Sequence, residues 1–489
     1  MRTRYWVALV AVAYVACHPT GLHAHARTGQ DIVEPFNPSA IGAASAREQE
    51  GGVPKRPLGR DLPVFQPAPG DTERREAPAI VTPTGQLTLQ EALALALVHN
   101  PALSAFAWES RALEARMVQA GRPPNPTLDV MVEDLAATRF PGTDRDQPVQ
   151  AQTTLQLSQL IELGGKRTAR VRLAQANLDL AAWDYETARI DVLTQVSRAF
   201  TDVLAAQETL TVSEETTRLV TQVRENVGAR VTAGTVSPIE ETRAGVALAA
   251  VRADAARARR ALDANRTKLA LLWGSPVATF DSAAGDLKAE PPPLPAATAL
   301  TMMLNQNPEL ARWAAELTQR EASLAVEQSR RQVDVAVSAG YRRFTTVDGN
   351  AFVVGASLPL PFFDKNKGGI EEARIRVAAG YEQQRAAAAR VKARLADAYA
   401  ALAGAHDEAT ILRTDALPGA QQTFEAVTEG YRLGRFGLLD VLDAQRTLIA
   451  VGGQYVRALT AYQQAVADVE RLIGAPLPTR TAPVPNAKE

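Results

Sequence analysis

Several residue types are scarce or absent from the 489-residue chain, and each gap excludes a class of function. Cys17 is the single cysteine, so no disulfide can form within one chain. The net charge is −1, and no basic excess points to a nucleic acid as partner. After residue 26 the only histidines are His99 and His406, and no pair of residues has the spacing of a metal site. There is also no nucleophile–base set and no phosphate-binding loop, so neither an enzyme nor a cofactor is predicted.

The N-terminus has the order of an export signal. Two arginines precede a short apolar stretch at residues 5–16, and a small-x-small cleavage site ends at Ala26. We therefore predict a signal peptide over residues 1–26. The residues before Cys17 also resemble a weak lipoprotein signal, so lipidation at Cys17 stays open as the alternative to cleavage after Ala26.

Long apolar runs are missing after this leader, which excludes transmembrane helices of about 18 residues or more. Any membrane-spanning segment must then consist of strands. Residues 27–85 contain nine prolines from Pro35 to Pro83, and this composition predicts a flexible segment. A second flexible tail is predicted over residues 475–489.

Between these two segments the sequence contains the same plan twice, over residues 87–274 and 296–474. Each copy is predicted to consist of a broken helix, two strands and two long helical stretches. Four pairs of short segments match in the same order: His99–Leu103 with Gln306–Leu310, Ala169–Ala174 with Ala373–Ala378, Ala233–Gly234 with Leu433–Gly434, and Leu272–Gly274 with Leu472–Gly474.

Four segments alternate between apolar and polar residues, which predicts strands near residues 128–133, 149–158, 333–342 and 352–360. Each is about as long as a tilted strand that crosses a bilayer, which needs about 9–11 residues. A half-buried sheet in a soluble protein would give the same alternation. If the strands do span a membrane, four cannot close a barrel, so several chains must pool them. Three chains would supply twelve strands.

The predicted helices are unusually long. Residues 166 to about 230 contain no helix breaker, and a second helix follows over residues 237–273. In the second copy, helix is predicted from residue 369 to about 433 with a kink at Pro418–Gly419. The last helix, residues 437–473, has apolar residues every seven positions from Val441 to Val469, which predicts a supercoiled seam with a partner helix. An ordinary coiled-coil rod explains these helices but not the strands between them.

Residues 431–446, YRLGRFGLLDVLDAQR, are similar to the signature of TolC-type outer-membrane factors. The resemblance, together with the duplicated plan, covers about residues 87–474. It implies a mainly α-helical fold with a membrane β-barrel: a homotrimer with a 12-stranded barrel in outer-membrane lipid, continued by an α-helical coiled-coil tunnel in the periplasm. It also implies two partners, a periplasmic adaptor (membrane fusion protein) and an inner-membrane pump of the resistance–nodulation–division type.

A narrower resemblance rests on residues 358–368, LPLPFFDKNKG. This segment is similar to the strand-to-helix junction of the cobalt–zinc–cadmium resistance branch of the family. It implies that the channel passively conducts heavy-metal cations to the outside. Efflux of drugs or solvents through the same fold remains the alternative, and a periplasmic coiled-coil adaptor or scaffold is the main rival.

Asp440 and Asp443 lie three residues apart near the start of the last helix, and therefore on one face of it. In the family this position is the periplasmic constriction, so the resemblance implies rings of carboxylates that attract cations and hold a gate closed. Acidic residues in a first helical turn also stabilise the helix dipole, which is the plainer explanation. Glu240 and Glu241 are the counterparts in the first copy. The family often places a basic residue near Phe436, and this chain has none at that position.

Overall fold

The computed structural model describes Leu58, Leu62, Pro63, Phe65 and residues 83–134, 151–344 and 349–477. All of them fall within the unit Phe36–Glu489. The predicted signal peptide and Cys17 lie outside the described residues, as do nearly all of the predicted flexible segment 27–85 and of the tail 475–489.

Apart from two short strands that flank the first half, helices and strands follow one another in the same order in the two halves of the described chain. The first half contains β1 (Gly85–Leu87), α1 (Leu89–His99), α2 (Pro101–Ala120), β2 (Thr127–Glu133), β3 (Gln152–Ile161), α3 (Lys166–Thr232), α4 (Pro238–Leu271) and β4 (Phe280–Ala283). The second half contains α5 (Ala297–Met303), a 3₁₀ turn (Leu304–Gln306), α6 (Pro308–Arg330), β5 (Val335–Phe344), β6 (Asn350–Ser357), α7 (Lys367–Ile411), a π-helical turn (Leu412–Ala416), α8 (Leu417–Arg432) and α9 (Leu438–Ile473). None of the described helices has an apolar stretch long enough to cross a membrane.

Several boundaries lie two or three residues from those predicted, and two of the differences have a clear physical cause. Strand β6 ends at Ser357, so Leu358 and Leu360 lie beyond it although they continue its alternation. Pro359 and Pro361 have no N–H to donate, and this ends the ladder. The long helix of the second half is interrupted before Pro418 rather than at it, because the proline cannot bond to the preceding turn and that turn widens into a π-helix.

Helix α3 has 67 residues, a length of about 100 Å. It runs antiparallel to α9, because ascending positions on α3 bond to descending positions on α9. Asp191 accepts from Arg471 at 2.6 Å, Arg198 pairs with Asp468, and Asp202 accepts from Gln464 at 2.8 Å. These polar pairs join the two halves. At the predicted heptad positions of α9, Val441, Tyr455, Tyr462 and Val469 are buried and Leu448 is half-buried, so these positions face the neighbouring helices.

In each half, one buried asparagine connects the start of one helix to the end of the last helix of that half. Asn100 caps α2 by accepting from the Leu103 amide at 3.0 Å, and its own amide donates to the Leu272 carbonyl at 2.8 Å. Asn307 repeats both bonds in the second half: it accepts from Leu310 at 3.0 Å and donates to Leu472 at 2.7 Å. Because both side-chain groups are used, a single residue caps one helix and satisfies a carbonyl at the end of another.

Replacing Asn307 with alanine is expected to lower the free energy of unfolding by about 2–4 kcal/mol. The change removes the cap, worth about 1 kcal/mol, and leaves the buried carbonyl of Leu472 unpaired at about 1–3 kcal/mol. Asn305→Ala is the matched control, because Asn305 is exposed and should change the free energy by less than about 0.5 kcal/mol. The thermal unfolding midpoint in detergent measures both. Equal midpoints for the two variants would contradict the double role of Asn307.

The four predicted strands form one antiparallel sheet in the order β2-β3-β5-β6. Its register brings the apolar residues of neighbouring strands opposite one another, for example Val130 opposite Leu155, Leu155 opposite Tyr341, and Tyr341 opposite Phe352. One face of the sheet therefore carries a band of exposed apolar side chains. Its large side chains are Leu128, Val130, Val132, Leu155, Leu157, Val337, Tyr341, Phe352 and Val354.

The opposite face of the sheet is polar and linked by hydrogen bonds. Arg342 donates to Thr154 at 3.0 Å and to Gln152 at 3.2 Å, and it lies 3.5 Å from the Glu133 carboxylate. Because side chains alternate across a strand, these groups stand away from the apolar face. The alternation predicted from sequence is therefore confirmed as a two-sided sheet.

Ion pairs bind the sheet to the helices where strands β3 and β5 adjoin them. Lys166, the first residue of α3, lies 2.7 Å from Asp334, and Arg170 forms a two-pronged contact with Glu162. Arg170 holds the pKa of the Glu162 carboxyl below its usual value. Burial alone would raise the pKa of Asp334, but Lys166 and the Leu163 amide outweigh it and lower that pKa. Both carboxylates therefore stay ionised and paired at neutral pH.

Beside α1 and α3 lies a small parallel pair of strands, β1 and β4, which the sequence did not predict. Leu87 and Phe280 from these strands pack with Trp273, and all three are essentially fully buried. Ile473 occupies the matching place in the second half, where it is also fully buried among Leu300, Leu402 and their neighbours. The matched segments around residues 273 and 473 thus lie in equivalent cores.

Candidate functional site

The predicted site residues lie at two tips, each formed by the ends of two helices and the short turn that joins them. The first tip turn, residues 233–237, joins α3 to α4, and the second tip turn, residues 433–437, joins α8 to α9. Gly234 has φ +70° and Gly434 has φ +75°, a left-handed conformation that favours glycine. In both turns the amide that follows this glycine bonds back to the helix, Thr235 to Arg230 at 2.9 Å and Arg435 to Gly430 at 2.8 Å. The two turns are therefore copies of one helix-ending motif.

The tips are packed against each other. One buried cluster contains side chains from both of them: Val223, Val227, Ala244, Phe424, Tyr431, Leu438, Val441, Leu442 and Ala444. Because this cluster holds the tips together, a relative movement of the tips must disturb it. The acidic residues lie around its edge.

Asp440 and Asp443 are both exposed, as expected for side chains that face water. Asp440 accepts a hydrogen bond from the Gly437 amide at 2.8 Å and so caps α9. The plainer explanation for this residue, stabilisation of a helix start, therefore has direct support. The side chain of Asp443 has no hydrogen bond or ion pair within the part of the chain that the structure describes. Of the two, Asp443 has the carboxylate free for another partner.

Glu240 and Glu241 occupy a different environment. Both are half-buried in the first turn of α4. The Glu240 carboxylate accepts a hydrogen bond from the Tyr431 hydroxyl at 3.2 Å, which links the first tip to the second. Glu241 lies against α3 near Gly228. The structure thus does not gather the four acidic residues into one cluster.

Tyr431 lies at the centre of the contact between the tips. Arg230 stacks on its ring at 4.6 Å and donates to its backbone carbonyl at 2.9 Å. Burial and the Glu240 carboxylate raise the pKa of Tyr431, which keeps the hydroxyl protonated and able to donate. Neither Tyr431 nor Arg230 was predicted from the sequence to have a role at the tip. Their only signal was that Tyr431 opens the motif at residues 431–446.

Phe436 lies in the second tip turn, near the place where the resemblance led us to expect a basic residue. Its ring covers Gly430, and a Cβ built on that glycine would come within 2.3 Å of the ring. The second tip turn is therefore closed by an apolar contact in this chain, and Gly430 leaves room for it.

Replacing Tyr431 with phenylalanine tests the link between the tips. The change removes the hydroxyl that Glu240 accepts from but keeps the ring that Arg230 covers. Loss of a hydrogen bond to a charged group should cost about 1.5 kcal/mol. If the tips form the gate that the resemblance implies, its open fraction should rise about tenfold. Single-channel recordings in planar bilayers measure it. Tyr399→Phe is the matched control, since its hydroxyl bonds to Pro295 away from the tips and its loss should leave the recordings unchanged.

Within residues 83–134, 151–344 and 349–477, no group of three or more His, Cys, Asp or Glu side chains is close enough to hold a metal ion. His406 instead packs beside the ring of Tyr462 at 6.0 Å.

Comparisons with known proteins agree with this architecture. The family model described as outer membrane efflux protein matches residues 92–275 and 299–475. The chain is 35% identical to the cobalt-zinc-cadmium resistance protein CzcC of Cupriavidus metallidurans over 414 residues, which is 84% of this chain and 96% of that protein. It is 28% identical to the nickel-cobalt-cadmium resistance protein NccC of Alcaligenes xylosoxydans xylosoxydans over 312 residues, or 64% and 67% of the two chains.

A crystal structure of CusC has the same fold, with a TM-score of 0.67 at 16% identity, over 85% of this chain and 98% of that one. The family model and the similarity to CzcC define the class of protein as an outer-membrane efflux channel. The chain belongs to the outer membrane efflux protein family and is located in the outer membrane with an extension into the periplasm. The family predicted from residues 431–446 and the mainly helical fold with membrane strands are both confirmed.

Proposed function

We propose that three copies of this chain form the passive exit duct of a tripartite efflux system, and that its cargo is heavy-metal cations. The observation that carries the proposal is the sheet with two open edges. Strands β2 and β6 end the order β2-β3-β5-β6 and pair on one side only within the described residues. Unpaired backbone groups are prohibitive in lipid, so β6 of one copy pairs with β2 of the next until the ring closes with twelve strands.

The two faces of the sheet support a water-filled duct. With the apolar face turned to lipid, the face that carries Gln152, Thr154 and Arg342 lines the lumen. The paired long helices α3 and α9 continue the wall on the periplasmic side. A conduit of this kind performs no reaction and selects by width and charge.

The proposed cargo and partners rest on the relatives. CzcC is named for resistance to cobalt, zinc and cadmium, and it matches this chain over 96% of its own length. We infer that a periplasmic adaptor and an inner-membrane pump of the resistance–nodulation–division type deliver the cations to the tip turns. The carboxylates of Asp440 and Asp443, repeated in three copies, give the entrance a negative charge that attracts them.

The same tip turns would act as the gate. In the closed state the bond between Tyr431 and Glu240 joins the two tips of each copy. Asp443, the carboxylate without a partner in the described residues, is available to a neighbouring copy. Opening then requires the adaptor to separate contacts that the chain makes with itself and with its neighbours.

Deletion of the gene from its natural host tests the cargo. The strain should lose tolerance to zinc, cadmium and cobalt while its tolerance to organic drugs and solvents stays the same. Growth inhibition across a concentration series measures both, and the wild-type gene should restore the loss. Sensitivity to drugs alone would make the metal assignment wrong and favour the alternative cargo. Recovery of the protein in a periplasmic fraction without detergent would instead favour an adaptor or scaffold.

A further inference from the structure

Helices α3 and α9 are joined by polar pairs in a regular register. Arg198 pairs with Asp468, and four residues further along α3 the Asp202 carboxylate accepts from Gln464 at 2.8 Å. Because the helices are antiparallel, each step forward on α3 is a step back on α9. Arg198 and Asp468 neutralise each other, whereas the carboxylate of Asp202 meets an uncharged amide. The charge of Asp202 is therefore not neutralised across the contact between the two helices.

The same register leads to a second charge without an opposite partner. Seven residues beyond Asp202 on α3 is Thr209, and seven residues back from Gln464 on α9 is Arg457, a distance of about 10 Å along the helix axes. Thr209 and Arg457 line the same groove as Asp202. Arg457 is exposed and forms no hydrogen bond or ion pair within residues 83–134, 151–344 and 349–477. A carboxylate and a guanidinium group thus lie at opposite ends of one stretch of α3 and α9.

Between these two charges the helices leave a groove of about 360 Å³, which we call the seam groove. It runs along α3, between α4 on one side and α9 on the other. The groove exists because many of the side chains that face it are small: Ala205, Ala206, Ala258, Ala261 and Ala461. Asn265 fixes the end near Asp202 by donating to the backbone carbonyl of that residue at 3.4 Å. A largely apolar groove of this volume with a few polar groups at fixed positions is typical of a site for a small organic molecule.

The carboxylate of Asp202 can accept a further cation. Burial raises the pKa of its carboxyl group, and the hydrogen bond from Gln464 offsets only part of that shift. Lys268 and Arg198 also favour the charged form, but Arg198 is already paired across to α9 and Lys268 lies 3.4 Å from the side-chain oxygen of Asn265. An ammonium group bonded directly to Asp202 would therefore stabilise the carboxylate more than its present neighbours do.

The seam groove and the connection between the two halves lie on opposite sides of α3. Gln207 bonds to both backbone groups of Ala283, at 2.7 and 3.1 Å, and Glu208 pairs with Lys288 of the connection, residues 284–296. With about 3.6 residues per turn, these two positions of α3 point away from the positions that line the groove. A segment that crossed the inside of a duct would obstruct it. The connection therefore belongs outside the proposed duct, and the groove faces its lumen.

We propose that the seam groove binds a linear zwitterion, a small organic molecule whose ammonium group bonds to Asp202 and whose carboxylate, about 10 Å away, bonds to Arg457. A molecule with one charge would satisfy one end of the groove and leave the other charge unpaired. The groove lies within a single copy of the chain, so binding does not require assembly. Only its access from the lumen rests on the proposed function. A zwitterion that passes through the duct would then meet one such site in each copy.

Titration of two amino acids of different length against the full-length protein in detergent tests the proposal. Extended ω-aminooctanoate is long enough to reach both charges of the groove, whereas γ-aminobutyrate is too short. Saturation-transfer NMR measures the two dissociation constants. We expect ω-aminooctanoate to bind about tenfold more tightly, because it gains a second contact with a charged group. Equal affinities for the two molecules would overturn the proposal.

Single substitutions identify the two ends of the site. Asp202→Asn removes a charge but keeps the shape of the groove, and it should weaken the binding of ω-aminooctanoate about tenfold. Arg457→Gln should weaken it about fivefold, a smaller effect because Arg457 is exposed to water. Arg252→Gln is the matched control and should leave the affinity unchanged, since Arg252 is exposed on α4, has no ion pair in the described residues and does not line the groove. Unchanged affinity in either groove variant, or an equal loss in the control, would overturn the proposal.

Access from the lumen is tested separately in planar bilayers. In a Cys17→Ser background, Ala461→Cys places a thiol in the groove, and Ala289→Cys places one on the connection at the other side of α3. A charged methanethiosulfonate reagent should change the current through the first variant and leave the second unchanged. The reverse result would overturn the position of the groove in the lumen. Absence of any channel current would instead overturn the proposed duct, and the binding measured in detergent is independent of both.

Discussion

Replacement of Trp273 by alanine is expected to lower the free energy of unfolding by about 3–5 kcal/mol, the range for deleting a large buried aromatic side chain. Trp273 is 1% exposed and lies 6.3 Å from the ring of Phe280. It also packs with α1 and α3, so its loss opens a cavity where several elements meet. We expect the thermal unfolding midpoint in detergent to fall and the yield of membrane-inserted protein to drop.

Two further substitutions make this test specific. In Trp273→Phe the cavity is smaller, and the indole Nε1, which is buried without a hydrogen-bond partner in the described residues, is also removed. Its cost should therefore be well below that of the alanine variant. Ile473→Ala, at the matching place in the second half, should cost about 2–5 kcal/mol. A phenylalanine variant as unstable as the alanine variant would show that ring size is not what Trp273 contributes.

Removal of both tip carboxylates should change what the channel conducts. In a trimer, Asp443 forms a ring of three negative charges. One unit charge at about 8 Å in water contributes about 0.5 kcal/mol to the energy of a cation. Three add to about 1.5 kcal/mol, so the local concentration of a monovalent cation at the tip should fall about tenfold for each ring removed, and the preference for cations over anions should fall with it. The effect should shrink at high salt, where charges are screened.

The variant Asp440→Ala, Asp443→Ala should also raise single-channel conductance, because the contact proposed between Asp443 and a neighbouring copy is lost. Asp440→Asn, Asp443→Asn is the comparison, since it removes the charge but keeps a side-chain oxygen that can accept from Gly437. It should lose ion preference with a smaller rise in conductance. Unchanged conductance and unchanged ion preference in the alanine variant would make the acidic gate wrong.

The local architecture could be read from the sequence because its signals are periodic. Alternation placed β2, β3, β5 and β6 within a few residues of their positions, and the absence of proline from 149 to 237 placed α3. Strands β1 and β4 were missed because three and four residues are too few to show alternation. The π-helical turn was missed because it is a response of the backbone to Pro418, and the side chains of that turn carry no signal for it.

The candidate site was less predictable, since it depends on which segments meet. Asp440 and Asp443 were chosen from a motif, and spacing placed them on one helix face. The bond from Tyr431 to Glu240 joins residues 191 apart, and no local pattern reports such a contact. The capping bond of Asp440 depends on the turn that precedes α9. The sequence therefore predicted which residues belong to the tip. The contacts between those residues depend on tertiary packing, which no local sequence pattern reports.

The buried asparagines Asn100 and Asn307 each act as a clasp, a side chain that hydrogen-bonds two distant segments of one half together. These clasps have a consequence for how the chain folds after export. Asn100 reaches Leu272 and Asn307 reaches Leu472, so each clasp joins the two ends of its own half and needs nothing from the other. A chain emerging from the export machinery with its N-terminus first can therefore close the first clasp before the second half has arrived. Since exposed apolar surface on unfinished chains promotes aggregation, early closure of one half shortens the time during which the whole chain is vulnerable.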